Sequence, residues 1–181
     1  FEPRIILMDE PLSALDKQLR ERMQIELRQL HDRLGTTTVY VTHDQREALT
    51  MSDRIAVLDR GKIARIDAPR AIYDHPGSRF VAEFIGESSF LDVDVADGIC
   101  RVAGTVIRAP QVPVAQGRCV MLLRPERLRI LDGSESEAMN RFEGHVQSAI
   151  YQGDTLLLQI VLNDGSPVTL RMPTRGDDAP P

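Results

Sequence analysis

Two adjacent carboxylates near the start of the chain are its clearest candidates for chemistry. Asp9 and Glu10 follow Arg4–Met8, a mostly apolar run that is typical of a buried strand, and Pro11 comes next. Ligands of open α/β sheets bind at the carboxyl ends of such strands. One carboxylate there can hold Mg²⁺ through water, and the other can deprotonate an attacking water molecule. Taken alone, these residues have an alternative interpretation, in which the strand ends in two solvated acids ahead of a proline turn.

A second polar pair, His43 and Asp44, follows the next strand pattern. The β-branched segment Thr36–Thr42 predicts a buried strand. Between the two strands, apolar residues in steps of three or four predict a helix over Ser13–Leu34 with one apolar stripe. The stripe consists of Leu15, Leu19, Met23, Leu27, Leu30 and Leu34. Strand, helix and strand of these lengths predict a parallel βαβ unit with a right-handed crossover.

Cap signals predict where the two helices of this region begin. Ser13, with Asp16 three residues later, matches a capping box for the long helix. Asp44 with Glu47 repeats the signal for a short helix over Gln45–Met51. A residue that caps a helix can also face a partner.

The pattern changes after Gly86. We place a domain boundary there, which divides the chain into a first domain, residues 1–86, and a second domain, residues 87–181. Before it, a hairpin and two short helices are predicted. Beyond it, only short strands with turn signals occur, which predicts a small barrel or sandwich. The predicted helices are Pro69–Asp74 and Arg79–Ile85. The predicted strands are Arg54–Asp59, Lys62–Asp67, Leu91–Val95, Ile99–Val102, Thr105–Arg108, Arg118–Leu123, Arg127–Leu131, Gly144–Tyr151, Thr155–Leu162 and Pro167–Met172.

Charge and composition exclude several function classes. The 22 basic and 27 acidic residues give a net charge of −5, which argues against a nucleic-acid partner. The apolar runs fall far short of the roughly 20 residues that span a bilayer. Cys100 and Cys119 show no metal-ligand spacing, and we expect reduced thiols. For Arg124, Arg127 and Arg129 we expect solvated arginines on a strand, with an anion site as the alternative.

Two segments carry a resemblance to a known family. Residues 7–16 read Leu-Met-Asp-Glu-Pro-Leu-Ser-Ala-Leu-Asp, and residues 41–44 read Val-Thr-His-Asp. In this order, they resemble the Walker B motif with its D-loop and the switch-histidine region of the ATPase subunits of ABC transporters. Residues 80–91 look closest to the spermidine/putrescine importers. The Leu-Arg-Pro-Glu sequence at 123–126 resembles the TOBE domain, an OB-like β-barrel.

The resemblance implies a fold and a role for each matching residue. The fold would be a partial P-loop NTPase core of the ABC type, α/β in class, followed by an all-β TOBE barrel. Asp9 would hold Mg²⁺ through water, and Glu10 would be the general base. His43 would contact the γ-phosphate of ATP. Ser13 and Asp16 would belong to the D-loop, where Asp16 contacts the opposite subunit.

The same resemblance implies a function and partners. The chain would be part of an ATP-hydrolysing importer subunit, with polyamines as cargo. ATP and Mg²⁺ would be its ligands. A second ATPase subunit and the membrane permease would be its direct partners, and a substrate-binding protein an indirect one. Its place would be the cytoplasmic face of the cell membrane.

The chain also departs from the family pattern. No Gly-x-x-x-x-Gly-Lys-Ser/Thr loop and no Leu-Ser-Gly-Gly-Gln signature occurs in the 181 residues, and we expect both to lie before Phe1. We therefore predict that this polypeptide alone neither binds ATP tightly nor hydrolyses it. We also predict that the helix stripe and the strand edges are exposed, so that the chain forms a dimer, exchanges strands or is disordered in this half.

Three alternatives stay open. Residues 87–181 could make the chain a non-catalytic regulatory and dimerisation module. The importer could instead carry ferric iron, a sugar or sulfate. A soluble ABC ATPase of DNA repair or translation is the third alternative, against which residues 45–91 argue because they resemble the importer branch.

Overall fold

The computed structural model describes residues 3–109, 116–131 and 140–174. Two compact units divide at Gly86, and we refer to residues 1–86 as the first unit and to 87–181 as the second. The first unit contains, in order, β1 (Ile5–Asp9), α1 (Lys17–Leu34), β2 (Thr37–Val41), α2 (Gln45–Met51), β3 (Ile55–Asp59), β4 (Lys62–Asp67), α3 (Pro69–Asp74) and α4 (Arg79–Ile85). The described part of the second unit contains seven strands and one short 3-10 helix, Pro125–Arg127.

The strands β1 and β2 form the parallel pair that the sequence predicts. Their register runs from Ile5 opposite Thr37 to Asp9 opposite Val41, and α1 is the crossover between them. A parallel pair of consecutive strands needs such a crossover. Both carboxyl ends therefore lie side by side, which places the residues after Asp9 beside the residues after Val41.

The prediction that Ser13 caps the long helix is wrong. The helix begins at Lys17, and its N-cap is Asp16, whose carboxylate accepts a hydrogen bond from the Leu19 amide at 3.0 Å. The Ser13 hydroxyl instead donates to the carbonyl of Glu10 at 2.9 Å, and the Ser13 amide donates to the same oxygen at 3.2 Å. These two bonds close a turn, so the chain first becomes helical after Asp16.

The apolar face of the first two strands is largely exposed. Leu7 is 76% exposed, although its strand reads as a buried one in the sequence. Parallel strands are normally covered on both faces, and here the described residues cover this pair only in part. The exposed apolar side chains of β1, α1 and β2 are Ile5, Leu7, Leu19, Ile25, Leu30, Leu34, Val39 and Val41.

The buried core of the first unit lies farther along the chain. The antiparallel hairpin β3–β4 packs beside the short helices α3 and α4, as the sequence predicts. Its buried side chains come from one face of β3 and from both helices. They are Ile55, Val57, Ile72, Val81 and Ile85.

The second unit forms two antiparallel sheets. Its strands are β5 (Ser89–Ala96), β6 (Ile99–Val102), β7 (Thr105–Ile107), β8 (Gly117–Leu123), β9 (Gly144–Tyr151), β10 (Thr155–Leu162) and β11 (Pro167–Pro173). The sheet orders are β7-β6-β5-β8 and β11-β10-β9. Both sheets contribute to one core, which contains Leu91, Val93, Val95, Cys100, Val102, Ile107, Leu162 and Val168. The β-rich prediction for this region is confirmed.

The predicted strand Arg127–Leu131 does not form. Residues Pro125–Arg127 form a short 3-10 helix instead, and residues 128–131 lie outside any strand. The Arg127 amide donates to the Arg124 carbonyl at 2.9 Å, which closes a turn where a strand would extend. Arg124 is 2% exposed, so the expectation of a solvated arginine is wrong at this position.

Two further findings concern the membrane and the thiols. Within the described ranges, every helix is too short or too polar to cross a bilayer. Cys100 and Cys119 are free thiols. Burial, followed by the neighbouring Cys100, raises the pKa of the Cys119 thiol, so this thiol is a poor nucleophile.

Candidate active site

A strained turn places Glu10 at the carboxyl end of β1. The Glu10 amide donates to the Val41 carbonyl at 2.9 Å, which extends the pairing of β1 with β2 by one residue. Its φ is +45°, a left-handed conformation that non-glycine residues rarely adopt. The two hydrogen bonds from Ser13 to the Glu10 carbonyl hold this conformation. Such strain persists only where the surroundings fix it, and it is frequent at functional sites.

Glu10 meets His43 across the two strand ends. The Oε1 atom of Glu10 lies 3.1 Å from Nδ1 of His43. Both side chains are exposed, at 45% for Glu10 and 74% for His43, so a ligand can reach them. The contact is an ion pair when the imidazole is protonated. The structure thus brings together a carboxylate and an imidazole that lie 33 positions apart in the sequence.

Asp9 is exposed at the same strand end and could help to hold a metal ion. The described residues contain no group of three or more histidine, cysteine or carboxylate side chains arranged to bind a metal. A single exposed carboxylate nevertheless fits Mg²⁺, because this ion keeps several waters and takes one or two carboxylates together with substrate phosphates. The residues present therefore fit Mg²⁺ bound mainly through water and phosphate.

Ser13 and Asp16 follow Glu10 in the segment that leads into α1. Ser13 is bound to the backbone of Glu10, and Asp16 caps α1. Both are exposed at their side chains. The two polar side chains of the segment 13–16 are therefore open to solvent, and Ser13 is joined to the turn that holds Glu10.

A buried carboxylate fixes the end of β2, and the sequence pattern did not reveal this role. Glu47 is 2% exposed and does not complete the predicted capping box. Its Oε2 accepts hydrogen bonds from the hydroxyls of Tyr40 at 2.9 Å and Thr42 at 2.7 Å. Burial, followed by the hydrogen bond to Glu47 and its charge, raises the pKa of Tyr40 far above its ordinary value. The Thr42 hydroxyl also accepts from the Asp44 amide at 2.9 Å.

Asp44 caps α2 as predicted. Its Oδ1 accepts from the amides of Arg46 at 2.8 Å and Glu47 at 3.3 Å. Since Thr42 and Asp44 are both held by side-chain hydrogen bonds, the backbone of His43 is fixed on each side. Only the imidazole projects, and it projects towards Glu10.

A cavity separates β2 from β3 in the first unit. It has a volume of about 570 Å³, and its walls come from both strands together with α1, α2 and α4. Among the described strands, β2 pairs only with β1, and β3 pairs only with β4. Each of these two strands therefore has one edge without a strand partner among the described strands.

Comparison with known proteins shows what this chain is similar to. Residues 121–181 match the TOBE domain. The spermidine/putrescine import ATP-binding protein PotA of Ruegeria pomeroyi is 46% identical over 97% of this chain and 49% of its own length. PotA of Pseudomonas aeruginosa strain UCBPP-PA14 is 43% identical over 94% of the chain and 50% of its own length. The ABC transporter ATP-binding protein YdcT of Escherichia coli K12, named as uncharacterized, is 42% identical over 91% of the chain.

These matches confirm the resemblance found in the sequence. The chain is homologous to ATP-binding proteins of ABC importers and corresponds to their C-terminal half. It spans about half the length of the curated relatives it matches.

Proposed function

We propose that this homologue of ABC importer ATP-binding proteins supplies the water-activating part of an ATP hydrolysis site. The observation that carries the proposal is the 3.1 Å contact of Glu10 with His43 at adjacent ends of two parallel strands. A carboxylate and an imidazole in mutual contact, both open to solvent, can orient and deprotonate a water molecule. The homology to ATP-binding proteins supports ATP as the substrate.

Each residue of the site has a proposed task. Glu10 accepts the proton of the attacking water, and His43 holds that water and the γ-phosphate. Asp9 holds Mg²⁺ through water, and the bound ion would neutralise charge on the phosphates. Asp16, on the exposed segment 13–16, faces a second ATPase subunit, and Ser13 keeps the turn before it closed.

The exposed surfaces of the first unit support an incomplete P-loop NTPase core for residues 1–86. The cavity between β2 and β3, with its two unpaired strand edges, would take further strands of a larger sheet. The exposed apolar stripe of α1 would be covered by the same addition. We propose that residues 87–181 belong to a TOBE domain with an OB-like arrangement of its two sheets.

The 181 residues alone are proposed to be inactive. They contain no phosphate-binding loop, whose backbone amides and lysine would hold the nucleotide. In the complete protein, the partners would be a second copy of the subunit, the membrane permease and, through it, a substrate-binding protein. We propose the cytoplasmic face of the membrane as the location of the complete protein.

Polyamines are the proposed cargo, because relatives with 40–46% identity are named as spermidine/putrescine import proteins. Ferric iron, sugars and sulfate are the alternative cargoes. Uptake of labelled spermidine by cells that express the complete transporter, compared with cells lacking this subunit, separates these cases.

The experiment for the reaction itself uses the complete protein that contains these residues. We expect steady ATP hydrolysis, stimulated by the permease subunits. An upstream sequence without a phosphate-binding loop and signature motif would contradict the proposal.

The second candidate is a non-catalytic regulatory and dimerisation module. It is favoured by the second unit, which has its own core shared by two sheets. Self-association of purified residues 87–181, measured by sedimentation, would support this function. It would not exclude the first proposal, since one protein can contain both.

A further inference from the structure

Arg20, on the first turn of α1, connects two segments of the candidate active site. Its Nη2 donates to the carbonyl of Leu15 at 2.8 Å and lies 3.5 Å from that of Ser13. Its Nη1 donates to Oδ2 of Asp44 at 3.3 Å. One guanidinium group therefore holds the backbone of the segment 13–16 and the residue that follows His43.

The charges around Arg20 keep it in this position. Besides Asp44, the buried carboxylate of Glu47 lies 3.9 Å from Nε of Arg20. The side chain is 29% exposed, so it is partly shielded from solvent. A planar guanidinium with several fixed donors can hold carbonyls and a carboxylate at once, which a lysine ammonium cannot do with the same geometry.

Asp44 divides its two oxygens between two tasks. Oδ1 caps α2, and Oδ2 accepts from Arg20. Any displacement of Leu15 can therefore reach Asp44 through one side chain, and from Asp44 it reaches His43 through one peptide bond. Positions near the attacking water are sensitive to such shifts, because a misplacement of about 1 Å can cost about a hundredfold in rate.

We propose that Arg20 is a positioning residue that ties the segment 13–16 to the strand end carrying His43. This inference rests on the proposed function, because His43 must act on a substrate for its position to matter. Contact of a partner subunit with the segment 13–16 would then set the placement of His43 against Glu10. Arg20 itself touches neither the attacking water nor the phosphate.

The test measures kcat and KM for ATP in the complete protein. Arg20→Ala should lower kcat about tenfold with little change in KM, because His43 is displaced while the nucleotide is gripped elsewhere. Arg28→Ala is the matched control, since Arg28 lies on the same helix and joins it to the Met51 carbonyl and Asp53 at 2.9 and 2.8 Å. The control should keep kcat within about twofold of wild type.

A double variant separates positioning from a general loss of structure. If Arg20 acts through His43, Arg20→Ala should lower kcat no further in a His43→Ala background. Additive losses, or an unchanged kcat in the single variant, would overturn the inference. If Arg20→Ala does not fold, Asp44→Asn takes its place, because asparagine keeps the helix cap and weakens only the pairing with Arg20. An unchanged kcat in that variant would also overturn it.

Failure of the proposed function and failure of the inference about Arg20 give different results. A complete wild-type protein without ATPase activity would remove the function and this inference together. An active wild type whose His43→Ala variant loses activity, while Arg20→Ala keeps it, would remove the inference alone.

Discussion

The two units use similar apolar strands with opposite results. In the second unit, β5 buries every other side chain, and Leu91 is fully buried. In the first, β1 is as apolar, yet Leu7 is 76% exposed. The difference lies in what covers each strand, because β5 faces a second sheet, whereas β1 has a single neighbour among the described strands. Strand formation follows from local sequence, whereas burial depends on the elements that pack against the strand.

The largest expected effect is the difference in stability loss between alanine variants of these two leucines. Leu91→Ala should destabilise the second unit by about 3 kcal/mol, since it leaves a cavity in a closed core. Leu7→Ala should cost less than about 0.5 kcal/mol in the first unit, because its side chain is mostly in water. Urea dependence of amide exchange, followed separately in β5 and β1, measures both. A loss of unfolding free energy in Leu7→Ala close to that in Leu91→Ala would mean that a second copy of the chain covers this face of β1 in solution.

The next comparison concerns buried and exposed arginines. Arg124 donates to the Ser88 hydroxyl at 2.7 Å and to the Glu87 carbonyl at 3.3 Å, and its removal leaves these groups without this donor. Arg124→Ala should cost about 2 kcal/mol in the second unit. Arg118→Ala removes an exposed pair with Asp94 and should cost less than about 1 kcal/mol. Equal losses of stability for the two variants, measured by thermal unfolding, would show that burial of Arg124 contributes nothing to stability.

The smallest effect depends on pH in the first unit. The folded-state pKa of Tyr40 lies above the ordinary value of 10.0, so its contribution to stability is full below that pH and is lost as the pH rises above it. Tyr40→Phe should flatten this part of the pH dependence of unfolding. A pH dependence of unfolding in Tyr40→Phe as steep as that of wild type would contradict the contact of Tyr40 with Glu47.

The sequence predicted elements well where the signals are local. The bounds of α2, α3 and α4 were predicted correctly, since capping residues, prolines and glycines lie beside them. The start of α1 was wrong because the Ser13 hydroxyl binds the Glu10 carbonyl rather than a helix amide. The strand predicted at 127–131 was wrong because Pro125 begins a 3-10 turn.

The site was predictable at its strand ends and not beyond them. The order of the motifs identified Glu10 and His43, and parallel pairing brings them together. The contacts of Glu47 and Arg20 were not predicted, because a helical glutamate or arginine normally lies in solvent. Arg20 contacts Asp44 across 24 positions, and local spacing cannot reveal such a pair.

The most direct test of the central claim is ATP turnover by the complete protein with and without the Glu10 carboxylate. Glu10→Gln keeps the size of the side chain and removes the base, so the rate should fall by at least about a hundredfold. The 181-residue chain, assayed beside it, should show no turnover. Undiminished turnover in the Glu10→Gln protein, or steady turnover by the 181 residues that depends on Glu10, would contradict the account.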